Sequence, residues 1–382
     1  MRAVIGGAGV AGLTLALQLA RHGWQVVVLE RGAGPRGGGF LVDLTAEGLA
    51  SAESLGVLPR LRSVGEQISA VRWVDGRGRR VADLDVLSRR GSQSTFPIKL
   101  LRADLERVLL ENLPANVEVQ FGDEVVEVRT PPGHVELALR SGRRIIADLL
   151  VGADGVHSRI RDLVFGDSGL WSRTLGYDAA ACVFDDSGLR EIAQGRVTIL
   201  SAPRRQIELC RLRSGKIAAN FLFHTTSLTT PDSPAERLKH VYGDLRWCVP
   251  RILEHAARAE DLRYEQAVQI KMSAWHRGRV ALLGDACHAF SMLPGQGSSL
   301  AIAGAFCLGR EIARSSSVKS AFAWYQERLM GETAHRRAAA RRRAKWLVPT
   351  SAAQWAMRNA YLKLASQRSL RRFLRPVIYG NR

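Results

Sequence analysis

No run of roughly 18 uninterrupted apolar residues occurs in the 382-residue sequence, so no segment reads as a bilayer-spanning helix. Cysteine is scarce: Cys182, Cys210, Cys248, Cys287 and Cys307 are odd in number and widely spaced, with no CxxC pair or His-rich neighbour. That excludes a disulfide framework and a zinc site, and it reads as reduced packing residues in a cytoplasmic protein. Acidic residues are missing after Glu332, where thirteen Lys and Arg follow. Of the formal net charge of +19, the rest of the chain therefore carries only +6, which gives no case for a nucleic-acid partner. Arginine also heavily outnumbers lysine, a bias that a GC-rich genome produces without functional cause. Internal repeats, low-complexity linkers and any visible catalytic triad or acid/base pair are absent as well.

What is present is enough apolar residue, 46 %, to bury a large core in two or three domains. The opening MRAVIGGAGVAGLTLALQLA has the charge and apolar stretch of a secretory signal, but its glycine spacing argues otherwise. An apolar strand, Ala3 to Ile5, leads through a glycine turn into a helix from Val10 to about His22, and the strand Gln25 to Leu29 follows. This is one βαβ unit. Further on, a helix is expected at Thr45 to Leu55, strands from Val71 to Leu87, and a helix at Arg102 to Leu113. Strands Val117 to Phe121, Val125 to Arg129 and Val135 to Leu139 read as a small antiparallel insert, and Ala147 to Val151 as a buried strand. Short alternating segments from Tyr177 to His224 predict a second sheet, and the strand Arg279 to Leu283 enters a glycine-rich loop and a long apolar helix.

The turn of the βαβ unit is Gly7-Ala8-Gly9-Val10-Ala11-Gly12, with Glu30 closing the second strand. Glycines there permit a tight turn and close approach of a pyrophosphate to a helix N-terminus, and an acid at that distance accepts hydrogen bonds from a ribose. The order strand, turn, helix, strand, acid points to dinucleotide binding without separating FAD from NAD. Two further motifs make that separation: Asp154-Gly155-Val156-His157-Ser158-Arg159-Ile160-Arg161 and Gly284-Asp285.

With these, the chain resembles the class A flavoprotein monooxygenases of the hydroxybenzoate-hydroxylase type. Their fingerprints GxGxxG, DGxxSxxR and GD occur here in the family's order, over about residues 1 to 330. The stretches GGFLVDLTAEGL and LLRADLERVLLENL look closest to the tetracycline-inactivating branch. The resemblance implies an α/β fold: an FAD-binding Rossmann-like domain of glutathione-reductase type, interleaved with a β-sheet substrate domain that roofs the flavin, plus C-terminal helices. The expected division is 1–70, 96–168 and 270–330 for FAD, 71–95 and 169–269 for substrate, and 331–382 for the basic helices.

Carried over by motif, Gly7, Gly9, Gly12 and Glu30 bind the dinucleotide, Arg31, Asp43 and Arg102 lie along the FAD, and Asp285 accepts from a ribityl hydroxyl. The alternative for Asp285 is a helix cap. Asp154 resembles a residue linked to flavin and nicotinamide handling, its alternative being a carboxylate that caps local amides. Gly295, Gln296 and Gly297 open the apolar helix, whose dipole would stabilise negative charge on reduced flavin. The loop departs from the family: Met292 stands where proline is usual, Pro294 precedes the glycines, and Ser298, Ser299 and Ala303-Gly304 replace the usual asparagine and acidic pair. His288 has no partner at useful spacing and reads as structural.

The resemblance implies hydroxylation of an electron-rich aromatic through a C4a-hydroperoxyflavin, with noncovalent FAD, NAD(P)H as reductant and O2 as co-substrate. No second glycine fingerprint exists for the nicotinamide, so it docks transiently. A halogenase would carry GWxWxIP, which is missing; a reductase or a non-oxidative flavoprotein remains the alternative. Substrate contacts are expected from Arg196, Arg211, Asn220, Phe221, His224 and Met292, with Asn220, Leu222 and His224 on one strand face and Phe221 and Phe223 on the other. In the tail, a helix at Ser351 to Leu364 carries Met357, Ala360, Tyr361 and Leu364 at one-face spacing. Either the tail helices pack on the sheet domain with their arginines solvated, or they lie on a membrane surface.

Overall fold

The computed structural model describes residues 1–35, 37–85, 97–225, 233–289 and 296–367. Strand β1 (Arg2–Gly6), helix α1 (Val10–Arg21) and strand β2 (Gln25–Glu30) form the expected βαβ unit. Ala3, Val4 and Ile5 are wholly inaccessible, as continuous apolar strands of a sheet covered on both faces must be. Strand β3 (Leu41–Leu44) leads to helix α2 (Ala46–Ser54) and pairs antiparallel with strand β4 (Ile98–Leu101), which runs straight into helix α3 (Arg102–Glu111).

Strand β5 (Val117–Phe121) corrects one expectation. It joins the main sheet by parallel pairing with β2, and the antiparallel insert consists instead of Val125–Arg129, Val135–Leu139 and Arg144–Ala147. Strand β6 (Leu149–Gly152) then returns to pair with β1 on its other side and is followed by helix α4 (Arg159–Phe165).

The second sheet is built from β7 (Ser172–Phe184), β8 (Arg196–Ala202), β9 (Arg205–Arg211) and β10 (Ile217–His224). Helices α5 (Pro234–Tyr242) and α6 (Val249–Arg258) follow, and β11 (Arg263–Ile270) completes one edge. Strands Ala70–Val74 and Arg80–Asp85 close the other edge, giving a seven-stranded sheet. Along β10 the side chains alternate as expected. Phe221 and Phe223 pack against Tyr242 of α5 in one core, whereas Leu222 belongs to a separate core on the opposite face.

Strand β12 (Val280–Leu282) pairs with β6, so the chain returns to the first sheet after completing the second. Helix α7 (Gln296–Arg314) covers α1, and helix α8 (Val318–Leu347), 30 residues long, passes from the first sheet to the open face of the second. Helix α9 (Ala352–Ser366) packs back onto the Arg80–Asp85 strand. Its buried face is not the apolar one read from the sequence: Met357 and Leu364 are 69 % and 48 % exposed, while Arg358, Leu362 and Ala365 face inward. The reason is Arg358, whose guanidinium stacks on the Trp73 ring at 4.8 Å. The tail helices do pack on the sheet, but this arginine is not solvated. Among the described residues no helix is long and apolar enough to cross a membrane.

Candidate cofactor site

Three sequence-distant loops meet where β1, β6 and β12 end, the carboxyl edge at which open α/β sheets bind ligands. Gly7 has φ +106°, and a Cβ there would stand 2.4 Å from the Ala153 carbonyl oxygen. A Cβ on Gly12 would lie 2.0 Å from the oxygen of Gly7, so helix and turn touch because neither has a side chain. A Cβ on Gly284 would reach within 2.9 Å of Ala11. The buried Arg161 guanidinium locks the second loop to the third, donating to the carbonyls of Ala286 at 2.9 Å and Val156 at 2.8 Å. This linkage was not visible in the sequence, although Arg161 closes the DGxxSxxR motif.

Polar groups surround the groove so formed. Helix α1 starts at Gly9 with no side-chain cap and no acid in its first turn, leaving first-turn amides for an anion. The buried Glu30 carboxylate accepts from the amides of Ala8 at 3.0 Å and Gly32 at 2.9 Å, beside a narrow cleft lined by Leu13, Pro35, Ala103 and Glu106. Arg102 lies over the turn, its guanidinium 3.7 Å from where a Gly9 Cβ would be, and bonds Glu106 at 3.0 Å. Asp285 presents surface to the groove, yet the protein packed around it raises its carboxyl above the usual range against the opposing pull of Arg102. It is the first residue of a short helix whose cap position is Gly284, so it does not serve as the cap.

Asp154 bonds its own loop. Its carboxylate accepts from the Ser158 hydroxyl at 2.5 Å and the Ile160 amide at 3.0 Å, and burial raises its pKa despite those bonds. Arg31 is exposed at the end of β2. Met292 and Gly295 lie outside the described residues. Gln296 begins α7, and at Gly297 a Cβ would meet nothing within 4 Å among the described residues.

A profile described as an FAD binding domain matches residues 1–328. The chain belongs to that family. It is an FAD-dependent monooxygenase of the class A flavoprotein type. Over 334 residues it is 30 % identical to an uncharacterized protein of Mycobacterium tuberculosis, covering 86 % of this chain and 89 % of that one. A flavin-dependent monooxygenase of Legionella longbeachae is 28 % identical over 316 residues, covering 80 % and 79 %. Among solved structures, tetracycline destructase Tet(51) superposes with a TM-score of 0.78 at 26 % identity, covering 95 % of each chain. The glycine cradle, the uncapped helix and the Arg102–Asp285 pair fit the family's cofactor.

In this FAD-binding family member, the groove is tied to the second sheet in part by Lys99 and Glu208, which the sequence did not single out. Lys99 on β4 lies 2.6 Å from Asp43 on β3 and 2.8 Å from Glu208 on β9. Burial would lower the Lys99 pKa, but the two carboxylates outweigh it and raise it. A charged residue inside the apolar run Ile98-Lys99-Leu100-Leu101 was the available signal. Nearby, the Asn220 side chain accepts from the Leu41 amide at 3.2 Å. Ser299, standing where the family has asparagine, accepts from the Thr45 amide at 2.9 Å and donates to the Asp43 carbonyl at 3.1 Å.

The expected substrate residues do not converge. Asn220 and His224 share the face towards β3 and α8, but Phe221 is 1 % exposed in the opposite core, so the structure removes it from any substrate-facing set. Arg196 and Arg211 lie at the far end of the sheet, next to Ile217, about 23 Å along the strand from His224. His288 is fully packed against Trp275 with a ring-centroid distance of 5.1 Å, and burial lowers its pKa to about 4, consistent with a structural role. All five cysteines are free and buried.

Proposed function

We propose that this monooxygenase takes electrons from NAD(P)H and, with O2, hydroxylates a bulky, electron-rich aromatic small molecule in the cytoplasm. The observation that carries it is the meeting of all three fingerprint loops on one groove, with Arg161 bonded to the Ala286 carbonyl. Residues 1–70, 96–168 and 270–330 hold the cofactor and 71–95 with 169–269 roof it. Gly7, Gly9 and Gly12 admit the pyrophosphate to the α1 N-terminus, and Glu30 takes the ribose. Arg31, Asp43 and Arg102 line the rest of the path, with Asp285 at the ribityl chain. Asp154 shapes its loop from behind, and Gln296 and Gly297 open α7, whose N-terminus faces the flavin.

When bound and reduced, the flavin supplies the oxygen-activating chemistry. The chain's part is to orient the substrate and exclude water, and Asn220 and the Asp43–Lys99–Glu208 cluster do this by seating the sheet over the groove. The packing of Ala344 and Leu347 of α8, and of α9, on the sheet supports the first alternative for the described part of the tail. The test is a screen of NAD(P)H consumption against aromatic compounds, with oxygen uptake and product mass followed together. Stimulated consumption with a gain of one oxygen atom is expected. Turnover of a substrate with neither oxygen nor NAD(P)H would overturn the reading in favour of a non-oxidative role.

A further inference from the structure

A cavity of about 670 Å³ lies where the C-terminal end of α8 and the first half of α9 meet the ends of β7 and β10. It falls within the size range of small-molecule sites, roughly 300–1,000 Å³. Its walls include Leu175, Tyr177, Trp346 and Met357. Its charged lining has one sign: Arg341, Arg342, Lys345 and Arg358 contribute, and among the described residues no lining residue is acidic.

Arg358 is the informative member. It is 1 % exposed, and its guanidinium donates to the Leu347 carbonyl at 2.8 Å, the Ser201 hydroxyl at 2.5 Å and the Asn359 side-chain oxygen at 2.9 Å. All three acceptors are neutral, and among the described residues its Nε has no acceptor and no carboxylate pairs with it. Burial lowers its pKa only to about 10, so it stays cationic at neutral pH. A buried charge without a counter-ion is costly, and an anion in the adjoining cavity would offset that cost. His224 supplies no counter-ion, since an imidazole is neutral or cationic; burial disfavours its cation, and its Nε2 lies 3.2 Å from the Val348 carbonyl.

We propose that this cavity binds an aromatic anion, its ring against Tyr177 and Trp346 and its charge balanced by Arg358 and the three exposed cations. Residues 368–382 are a poor competitor, since they carry five arginines and no acid. On the strand face that carries His224, the next residue, Leu222, is packed in the core beneath α8 and α9, so the cavity stands apart from the groove. The binding site does not rest on the reading above.

The experiment is equilibrium dialysis of the FAD-loaded full chain with naphthalenesulfonate and with its neutral counterpart, naphthalenesulfonamide. The sulfonate should bind saturably and at least about tenfold more tightly. Exchange of the exposed pair, Arg341→Gln with Lys345→Gln, should weaken sulfonate binding about tenfold and leave sulfonamide unchanged, and Arg358→Met should abolish the preference. If Arg358→Met does not fold, the surface double variant decides. Equal binding of both probes, or sulfonate binding indifferent to the double variant, overturns the site. Intact sulfonate preference in a protein that oxidises no aromatic keeps the site and removes the oxygenase reading.

Discussion

Arg161 donates to the backbone carbonyl of Ala286, 125 residues further along the chain, and the bond is fully buried. Through it the second fingerprint loop holds the third in register with the first. Arg161→Met should leave those carbonyls unsatisfied and lower stability by about 3 kcal/mol, the scale of a buried charged hydrogen bond. Urea unfolding without added FAD measures this. Unchanged stability together with full FAD retention would show that the loops do not depend on the arginine.

Glu30→Ala and Asp285→Ala should each weaken FAD binding by about 1.5–3 kcal/mol, or roughly tenfold to more than a hundredfold. Fluorescence titration of apoprotein with FAD reads this directly. Wild-type affinity in both variants would remove the assignment of the groove.

Lys99→Met leaves Asp43 and Glu208 without their shared cation, and should cost about 3–5 kcal/mol at pH 8. The wild-type pKa of Lys99 is raised, so its contribution is complete below the unfolded value of 10.5 and is lost only as pH rises through the higher folded value. In the variant, acidification lets one carboxyl take up a proton, and the deficit should shrink towards pH 5. A deficit that is the same at both pH values contradicts the cluster.

His288 titrates at about 4 when folded against 6.5 for the free side chain. Because the folded pKa is depressed, the unfolded chain binds more protons between these values. Stability is therefore full above 6.5 and falls by about 3 kcal/mol as the pH drops to 4. His288→Leu should remove that share of the acid limb. Parallel stability curves for the two proteins from pH 7 to 4 would refute it.

The βαβ unit, the three fingerprints and the alternation along β10 were legible in the sequence because each depends on local periodicity or a contiguous motif. The edge position of β5 was not, since a five-residue strand with half-buried positions fits an antiparallel ribbon or a sheet edge equally well. The buried face of α9 was misread because hydrophobic spacing cannot anticipate an arginine stacked on Trp73. Sequence shows that Arg196 and Arg211 lie on neighbouring strands, but not that about 23 Å of strand separates them from His224. Lys99 pairs with residues 56 positions before it and 109 after it, beyond any local pattern.

The strand order of the first sheet also sets a timetable for synthesis. β1 is made first, but its partner β6 emerges some 145 residues later, and β12 only after residue 280, when nearly three-quarters of the chain has left the ribosome. Until then the β6 edge is unpaired and apolar, and pairings of such long sequence separation form slowly. The nascent chain thus passes through a long interval in which a template for aggregation is open, and its yield in a host should depend on translation rate and chaperone supply more than on the stability of the finished fold.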